Sequence, residues 1–269
     1  MIAVIAGEGT LPKVIIKKFQ KKKINICIIN LSKKKIINRK NTYNLNITEI
    51  SKILNLLKKN HCNEVILAGK VSRPNIDEFK LDYQIIKLLP EIIFNSKKGD
   101  SYLLDFIVNL FKKNKINVIS CLKYLPEITA DGFICPSKIS NKDIADIRKG
   151  KMLLNHINSK FDVGQSIVIN NGFVVGIEAA EGTDLMLNKI ISIQKKINKG
   201  SLSGVLIKMP KKIQDIRVDI PTIGFRTIQN CIRAGIRGIA LKKNENIFLD
   251  QKKSFKLIKQ NNFFIKVIN

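Results

Sequence analysis

Short apolar runs alternate with amphipathic stretches through the first half of the chain. Ala3 to Ala6 reads as a strand, and Leu11 to Lys21 places its apolar residues at helical spacing. Ile24 to Ile29 and Glu64 to Ala68 are further apolar strands, with a helical pattern over Thr48 to Lys58 between them. Helices are predicted over 83–95 and 101–114, the second capped by Asp100 or Ser101. Asn117 to Cys121 follows as another strand. Strands that alternate with helices imply a parallel sheet with helices on both faces.

The pattern changes where Pro126, Gly132 and Pro136 cluster, and the domains are set at 1–134 and 135–269. A helix is expected over Asn141 to Asn158. Gln165 to Ile169 and Phe173 to Ala179 are strands joined at Asn170-Asn171-Gly172, a hairpin signal. A helix begins near Thr183, and Gly204 to Lys208 is a strand. After a long polar loop to Pro221, Thr222 to Arg233 is predicted as a helix closed by Gly235. Strand, turn, strand, helix and strand finish the chain, so the second half is an α+β domain of its own. The fold class is therefore α/β, with a parallel-sheet domain before an α+β domain.

Composition narrows the function classes. The chain has 269 residues and a formal net charge of +27. Only seven of the 48 basic residues are arginine, and the lysines are scattered rather than patched. Base readout favours arginine, and stacking platforms need aromatic side chains, which make up 6% here with no Trp. Nucleic acid is not the expected partner; the scattered lysines read first as solvated surface from a compositional bias toward Lys, Ile and Asn, and second as attraction to an anionic membrane surface. Five cysteines, none paired at metal-ligand spacing, read as free thiols of a reducing compartment. Two histidines without a zinc motif exclude the usual zinc sites. The longest largely apolar uncharged stretch, Val163 to Ile177, falls short of the roughly 20 residues of a spanning helix. The N-terminus reads as the first strand rather than a leader, and a cytoplasmic location is expected.

Four loops could carry chemistry. Gly7-Glu8-Gly9-Thr10 joins the first strand to the first helix, where glycines let backbone N–H groups approach a phosphate. A dinucleotide fingerprint would place a third Gly where Pro12 stands, and an acid where Asn30 ends the second strand. An NAD(P)-dependent oxidoreductase is thereby disfavoured. Gly69 to Pro74, at the carboxyl end of a strand, offers Lys70 and Arg73 to phosphate oxygens. Glu178, Glu181 and Asp184 crowd a strand-to-helix junction, as a shared cation would allow; a helix start that favours acids is the alternative. In the stretch from Lys211 to Gly224, Asp215 and Asp219 could bind metal or activate water, and Arg217 could offset diphosphate charge. Together the loops suggest a site with cations for phosphates and carboxylates for a metal, in a cleft between the domains.

The motifs IAGEGTLP, LAGKVSRP, KKGDSYLL, VGIEAAEGTD and RVDIPTIG occur in an order and spacing that resemble the LpxI-type UDP-2,3-diacylglucosamine pyrophosphatases of lipid A biosynthesis, over nearly the whole chain. The resemblance implies a Rossmann-like first domain, a homodimer, and Mg²⁺-dependent hydrolysis of a lipid-linked UDP-sugar at the inner membrane surface. The family's aspartate in RVDIPTIG falls on Asp219, which is assigned to metal binding or water activation, with Arg217 beside it as the second catalytic residue. Glu181 and Asp184 would complete the metal ligands. Substrate contacts would come from Gly9, Thr10, Leu11, Lys70, Val71, Ser72, Arg73, Gly99, Asp100, Gln165, Thr183, Gln214 and Thr222. Glu8 stands where relatives commonly have Gly. The apolar stretches Tyr83 to Phe94 and Tyr102 to Phe111 could line an acyl groove, although core or dimer packing accounts for most of their side chains.

Overall fold

A computed structural model describes residues 1–36, 40–71, 88, 90–95, 100–135, 137–161, 163–197, 203–211 and 215–269, without the side chains of 100 and 194–197. The chain forms two compact units, Met1–Pro126 and Glu127–Asn269.

The first unit is a five-stranded sheet in the order β3-β2-β1-β4-β5, every neighbour pair parallel. Its strands are β1 (Ile2–Ala6), β2 (Ile26–Asn30), β3 (Thr42–Asn44), β4 (Glu64–Ala68) and β5 (Asn117–Val118). Helices α1 (Leu11–Lys21), α2 (Ile50–Lys59) and α3 (Asp100–Lys113) connect them, and residues 90–95 are helical. The strand order reverses between β1 and β4, the switch point at which open α/β sheets bind ligands. In β2 all five residues are buried, which is why its pattern is a continuous apolar run rather than an alternation. Helix α1 turns Pro12, Ile15, Ile16 and Phe19 to the sheet, and Pro12 fits the first turn, where no N–H partner is needed.

Three expectations change here. Strand β3 was not foreseen: Thr42, Tyr43 and Asn44 lack an apolar alternation, and the register against Ile28 to Asn30 makes them a strand. The strand expected to Cys121 stops at Val118, and Cys121–Lys123 is a 3-10 turn capped by the Ser120 hydroxyl. Helix α3 already includes Asp100, so Ser101 lies within its first turn instead of capping it. The acyl-groove reading for 83–87 and 89 lies outside the described residues. In α3, Val108, Leu110 and Phe111 are buried, while Tyr102 is exposed.

The second unit holds a mixed sheet in the order β12-β10-β8-β6-β7. Strands β8 (Val205–Lys208), β10 (Gly238–Lys242) and β12 (Phe264–Ile268) are parallel. Strands β6 (Ser166–Asn170) and β7 (Phe173–Ile177) form the expected hairpin, with β6 antiparallel to β8 and β7 at the edge. Its turn places Asn171 and Gly172 at positive φ, the pair that a tight twisted hairpin requires. Helix α4 (Asn141–Ile157) opens with a capping box, in which Ser140 Oγ accepts from Asp143 N and the Asp143 carboxylate accepts from Ser140 N. It packs on one sheet face with Ile147, Leu154, Ile167 and Ile207. Met186, Leu187, Leu206, Ile228 and Phe248 fill the other face under α5 (Thr183–Ile197), α6 (Phe225–Arg233) and α7 (Gln251–Gln260). Residues 127–134 pack with this unit: Ala130 N donates to Asn246 Oδ1, and the Phe133 and Phe248 rings meet edge to face.

The helix expected from Thr222 begins later. Thr222 and Ile223 form β9, paired in parallel with β11 (Ile247–Phe248), and α6 starts at Phe225. Two β-branched residues after a proline suit an extended segment, and Ile247 N to Pro221 O and Leu249 N to Ile223 O hold it there. No helix among the described residues is long and apolar enough to cross a membrane.

Candidate active site

In the first unit two of the predicted loops meet across the switch point. Gly7 N donates to Ala68 O, Glu8 N to Lys70 O at 2.7 Å, and Lys70 N to Glu8 O at 3.0 Å. This backbone bridge holds Gly7 and Glu8 against Ala68 and Lys70 at the carboxyl ends of β1 and β4, and Gly9, Thr10 and Leu11 follow it along the chain. Gly69 sits at φ +87°, and a Cβ there would lie 2.5 Å from Glu8 O and 2.6 Å from the Pro12 ring. Only glycine allows that approach. The Glu8 carboxylate reaches sideways to accept from Lys33 N at 2.7 Å, which ties the loop to the segment just after β2. Asn30 is buried, and its amide donates to Lys34 O and Asn44 Oδ1. The position where a dinucleotide fold keeps a ribose-binding acid is therefore closed by a structural network. Ser72, Arg73 and Gly99 lie outside the described residues, as does the Asp100 side chain.

In the second unit the predicted residues gather at one end of the sheet, where β8 ends and β6 begins. Gln165 is buried, and its Nε2 donates to Asp219 Oδ2 at 2.8 Å across 54 residues of sequence. The Gln165 carbonyl accepts from Met209 N, which anchors that side chain to the sheet. Asp219 belongs to the loop between β8 and β9, in which Asp219 N bonds back to Asp215 O. Within the same loop Arg217 faces Asp215, with Nε 2.9 and 3.0 Å from the two carboxylate oxygens and Nη2 2.5 Å from Oδ2. Hydrogen bonds from that guanidinium hold the Asp215 carboxyl below its usual range. The Thr222 hydroxyl donates to Ile220 O. Gln214 lies outside the described residues.

A second polar cluster adjoins this one, and the sequence reading named only part of it. Lys208, the last residue of β8, has a nearly buried side chain. Its Nζ donates to Thr183 Oγ1 at 2.8 Å, Ser166 Oγ at 3.1 Å and Glu178 Oε2 at 3.4 Å. The Thr183 hydroxyl in turn donates to Glu178 Oε2 at 2.8 Å. Burial alone would raise the Glu178 pKa, but the Lys208 charge and the bonds from Ser166, Thr183 and Lys208 outweigh it and hold the group ionised, below its ordinary 4.5. Lys208 and Ser166 were missed. Period-2 alternation with buried Leu206 could have found the lysine, because it places Lys208 on an inward face.

The three carboxylates expected to share a metal are not assembled. Glu181 pairs with Lys189 at 2.9 Å, and Asp184 meets Arg226 at 3.4 Å and Asn230 Nδ2 at 3.1 Å. Asp184 lies in the first turn of α5, where an acid is favoured by the helix dipole alone. Among the described residues no three His, Cys, Asp or Glu side chains form a metal-binding group. The donor set of Asp219, Glu181 and Asp184 thus does not fit a preformed cage. Cys27, Cys62, Cys121 and Cys231 are buried and free, and Cys135 is half-buried and free. Burial pushes the Cys27 thiol up to about 12 and that of Cys121 to about 11, so they are inert packing groups.

Comparison with known proteins agrees with both halves of this description. The LpxI N-terminal domain matches residues 1–128, and the LpxI C-terminal domain matches residues 130–266. Over 211 residues the chain is 34% identical to the UDP-2,3-diacylglucosamine pyrophosphatase LpxI of Caulobacter vibrioides, covering 76% of this chain and 74% of that protein. With a parallel β-sheet domain, a mixed-sheet domain and both family domains matched along nearly its whole length, this chain belongs to the LpxI family.

Proposed function

We propose that this protein hydrolyses the diphosphate of UDP-2,3-diacylglucosamine to UMP and 2,3-diacylglucosamine 1-phosphate, a step of lipid A biosynthesis. One observation carries the reading: Asp219, the aspartate of RVDIPTIG, is held by the buried Gln165 amide in a loop that leaves the sheet beside Lys208 and Thr183. A fixed carboxylate of this kind can orient a water and take its proton as the water attacks phosphorus. Arg217, aligned by Asp215, supplies positive charge in the same loop as the diphosphate gains negative charge. Within the first unit, the bridged loops at Gly9, Thr10 and Lys70 suit a phosphate group.

Mg²⁺ enters the proposal through the substrate. Mg²⁺ usually takes one or two carboxylates together with phosphate oxygens and water rather than an all-protein cage, and Asp219 is the carboxylate proposed for it. The scattered lysines support docking on an anionic inner-membrane surface, and a homodimer is the proposed assembly. UMP release followed with Mg²⁺ present or chelated tests the metal: loss on chelation, restored by added Mg²⁺, is expected, and full activity in chelator rejects it. Vesicles with anionic lipid should retain the protein more than neutral ones at low salt, with the difference vanishing as salt rises. Equal retention would reject the membrane partner.

A further inference from the structure

The turn of the β6–β7 hairpin has its backbone polar groups taken up by α4. The buried Asp146 carboxylate accepts from Asn171 N at 2.9 Å and from Gly172 N at 2.7 Å, and Lys149 Nζ donates to Gly172 O. The next residue, Phe173, pairs in the ladder with Asn170, and its side chain is 76% exposed. A tip satisfied in this way loses little when water is removed from it, whereas its aromatic ring gains by leaving water. The helix that clamps the tip also separates its charges. Its two acids are both buried: Asp143 bonds Ser140 and meets Arg237 at 3.7 Å, and Asp146 holds the turn. Lys142, Arg148 and Lys149 are exposed, so every fully exposed charge of α4 is positive. Ile144, Arg148 and Met152 recur at four-residue spacing on its outward side, with Ile144 44% and Met152 63% exposed.

We propose that the Phe173 tip and the outward side of α4 form one face that docks on an anionic lipid bilayer. Phe173, Ile144 and Met152 enter the boundary between headgroups and acyl chains, and Lys142, Arg148 and Lys149 meet the lipid phosphates. Charge selects this occupant. A second copy would bring an equally positive face, on a chain whose net charge is already +27, and like charges across an interface repel. Strand β6 runs from Ser166, next to the Gln165–Asp219 contact, to Asn170 at the tip, roughly 14 Å at the rise of a strand. Docking through the tip therefore keeps that contact close to the bilayer surface. The inference rests on the membrane partner proposed above and narrows it from lysines scattered over the chain to one surface.

The chain has no Trp, so a single one reports where the protein meets lipid. The test uses full-length Phe173→Trp and Met152→Trp, with Phe255→Trp as the control, and vesicles of equal parts phosphatidylglycerol and phosphatidylcholine. Phe255 is also exposed, on α7, which packs on the opposite face of the same sheet. Emission from Phe173→Trp and Met152→Trp should shift to the blue on vesicles and be quenched by brominated acyl chains, and emission from Phe255→Trp should do neither. These side chains lie outside the core, so the substitutions leave the fold intact. Phe173→Ser should weaken vesicle binding roughly tenfold, as loss of one buried aromatic side chain predicts. Lys142→Gln/Arg148→Gln should weaken it by roughly tenfold or more, whereas Lys252→Gln/Lys256→Gln on α7, which removes the same charge, should change it no more than about twofold. Equal losses in the two double variants, or vesicle-bound protein with no quenching at Phe173→Trp and Met152→Trp, would overturn this face and leave the membrane partner standing. Vesicles that retain no protein would overturn both. A wild-type dimer in sedimentation that Phe173→Ser dissolves, with vesicle binding unchanged, would put a second copy on this face and overturn the proposal.

Discussion

Replacing Gln165 with leucine isolates the contact on which the proposed chemistry depends. Leucine has nearly the volume of glutamine and keeps the backbone bond from Met209 N to residue 165, so the sheet is not altered. What disappears is the 2.8 Å bond from Nε2 to Asp219 Oδ2, together with the longer 3.4 Å one to Asp219 O. A hydrogen bond to a charged group contributes about 1.5–3 kcal/mol. In folding, much of this is recovered, because half-buried Asp219 can be hydrated instead, and a stability loss of about 1 kcal/mol is expected. In catalysis water is a poor substitute, because it does not hold the carboxylate in one orientation. With about 1.4 kcal/mol per factor of ten, kcat should fall roughly 10- to 100-fold while KM moves less. The assay is steady-state UMP release by Gln165→Leu, Asp219→Asn and the double variant. Gln165 acts through Asp219, so the double variant should be no slower than Asp219→Asn alone. A Gln165→Leu enzyme within twofold of wild-type kcat, or a double variant slower by the full product of the two, would refute the reasoning.

Other predictions follow from single positions. Gly69→Ala combines a left-handed backbone with a Cβ against Glu8 O, and should destabilise the first unit by about 2–4 kcal/mol in denaturant melts. Asn30→Asp should not create NAD binding; it turns a carboxylate toward Lys34 O and Asn44 Oδ1, and a loss of about 1–3 kcal/mol is expected. Glu178 has its pKa depressed by folding, so its contribution to stability is present above its ordinary value of 4.5 and is lost as pH falls through the lower folded value. Glu178→Gln should flatten the acid side of a stability–pH curve, and a wild-type slope retained in that variant would contradict the assignment.

Much of this architecture is legible in the sequence because burial and chain pattern agree. The largely apolar runs Ala3–Ala6, Ile24–Ile29 and Glu64–Ala68 read as interior parallel strands and fall on β1, β2 and β4, and Asn171-Gly172 marks its hairpin by backbone chemistry alone. What escaped depends on partners distant in sequence. Thr42–Asn44 is a strand because β2 lies beside it, and Thr222–Ile223 because Ile247–Phe248 does. Asp219 stands out in a polar loop, but its partner Gln165 is an ordinary residue at a strand start until the fold joins them. Lys208 is hidden by composition: one lysine among many looks like solvated surface, and only its place after Leu206 on an inward face shows otherwise. The carboxylates Glu178, Glu181 and Asp184 are close in sequence, yet the strand-to-helix turn sends them to Lys208, Lys189 and Arg226, so proximity along the chain does not make a ligand set.

The most direct measurement is release of UMP from UDP-2,3-diacylglucosamine by wild type and by Asp219→Ala, each verified as folded. Turnover by wild type, with at least a roughly hundredfold loss in the variant, is predicted, since removing a group that acts as general base typically slows a reaction by that much or more. Equal turnover by both would contradict the role of Asp219, and no turnover by a folded wild type would contradict the proposed reaction itself.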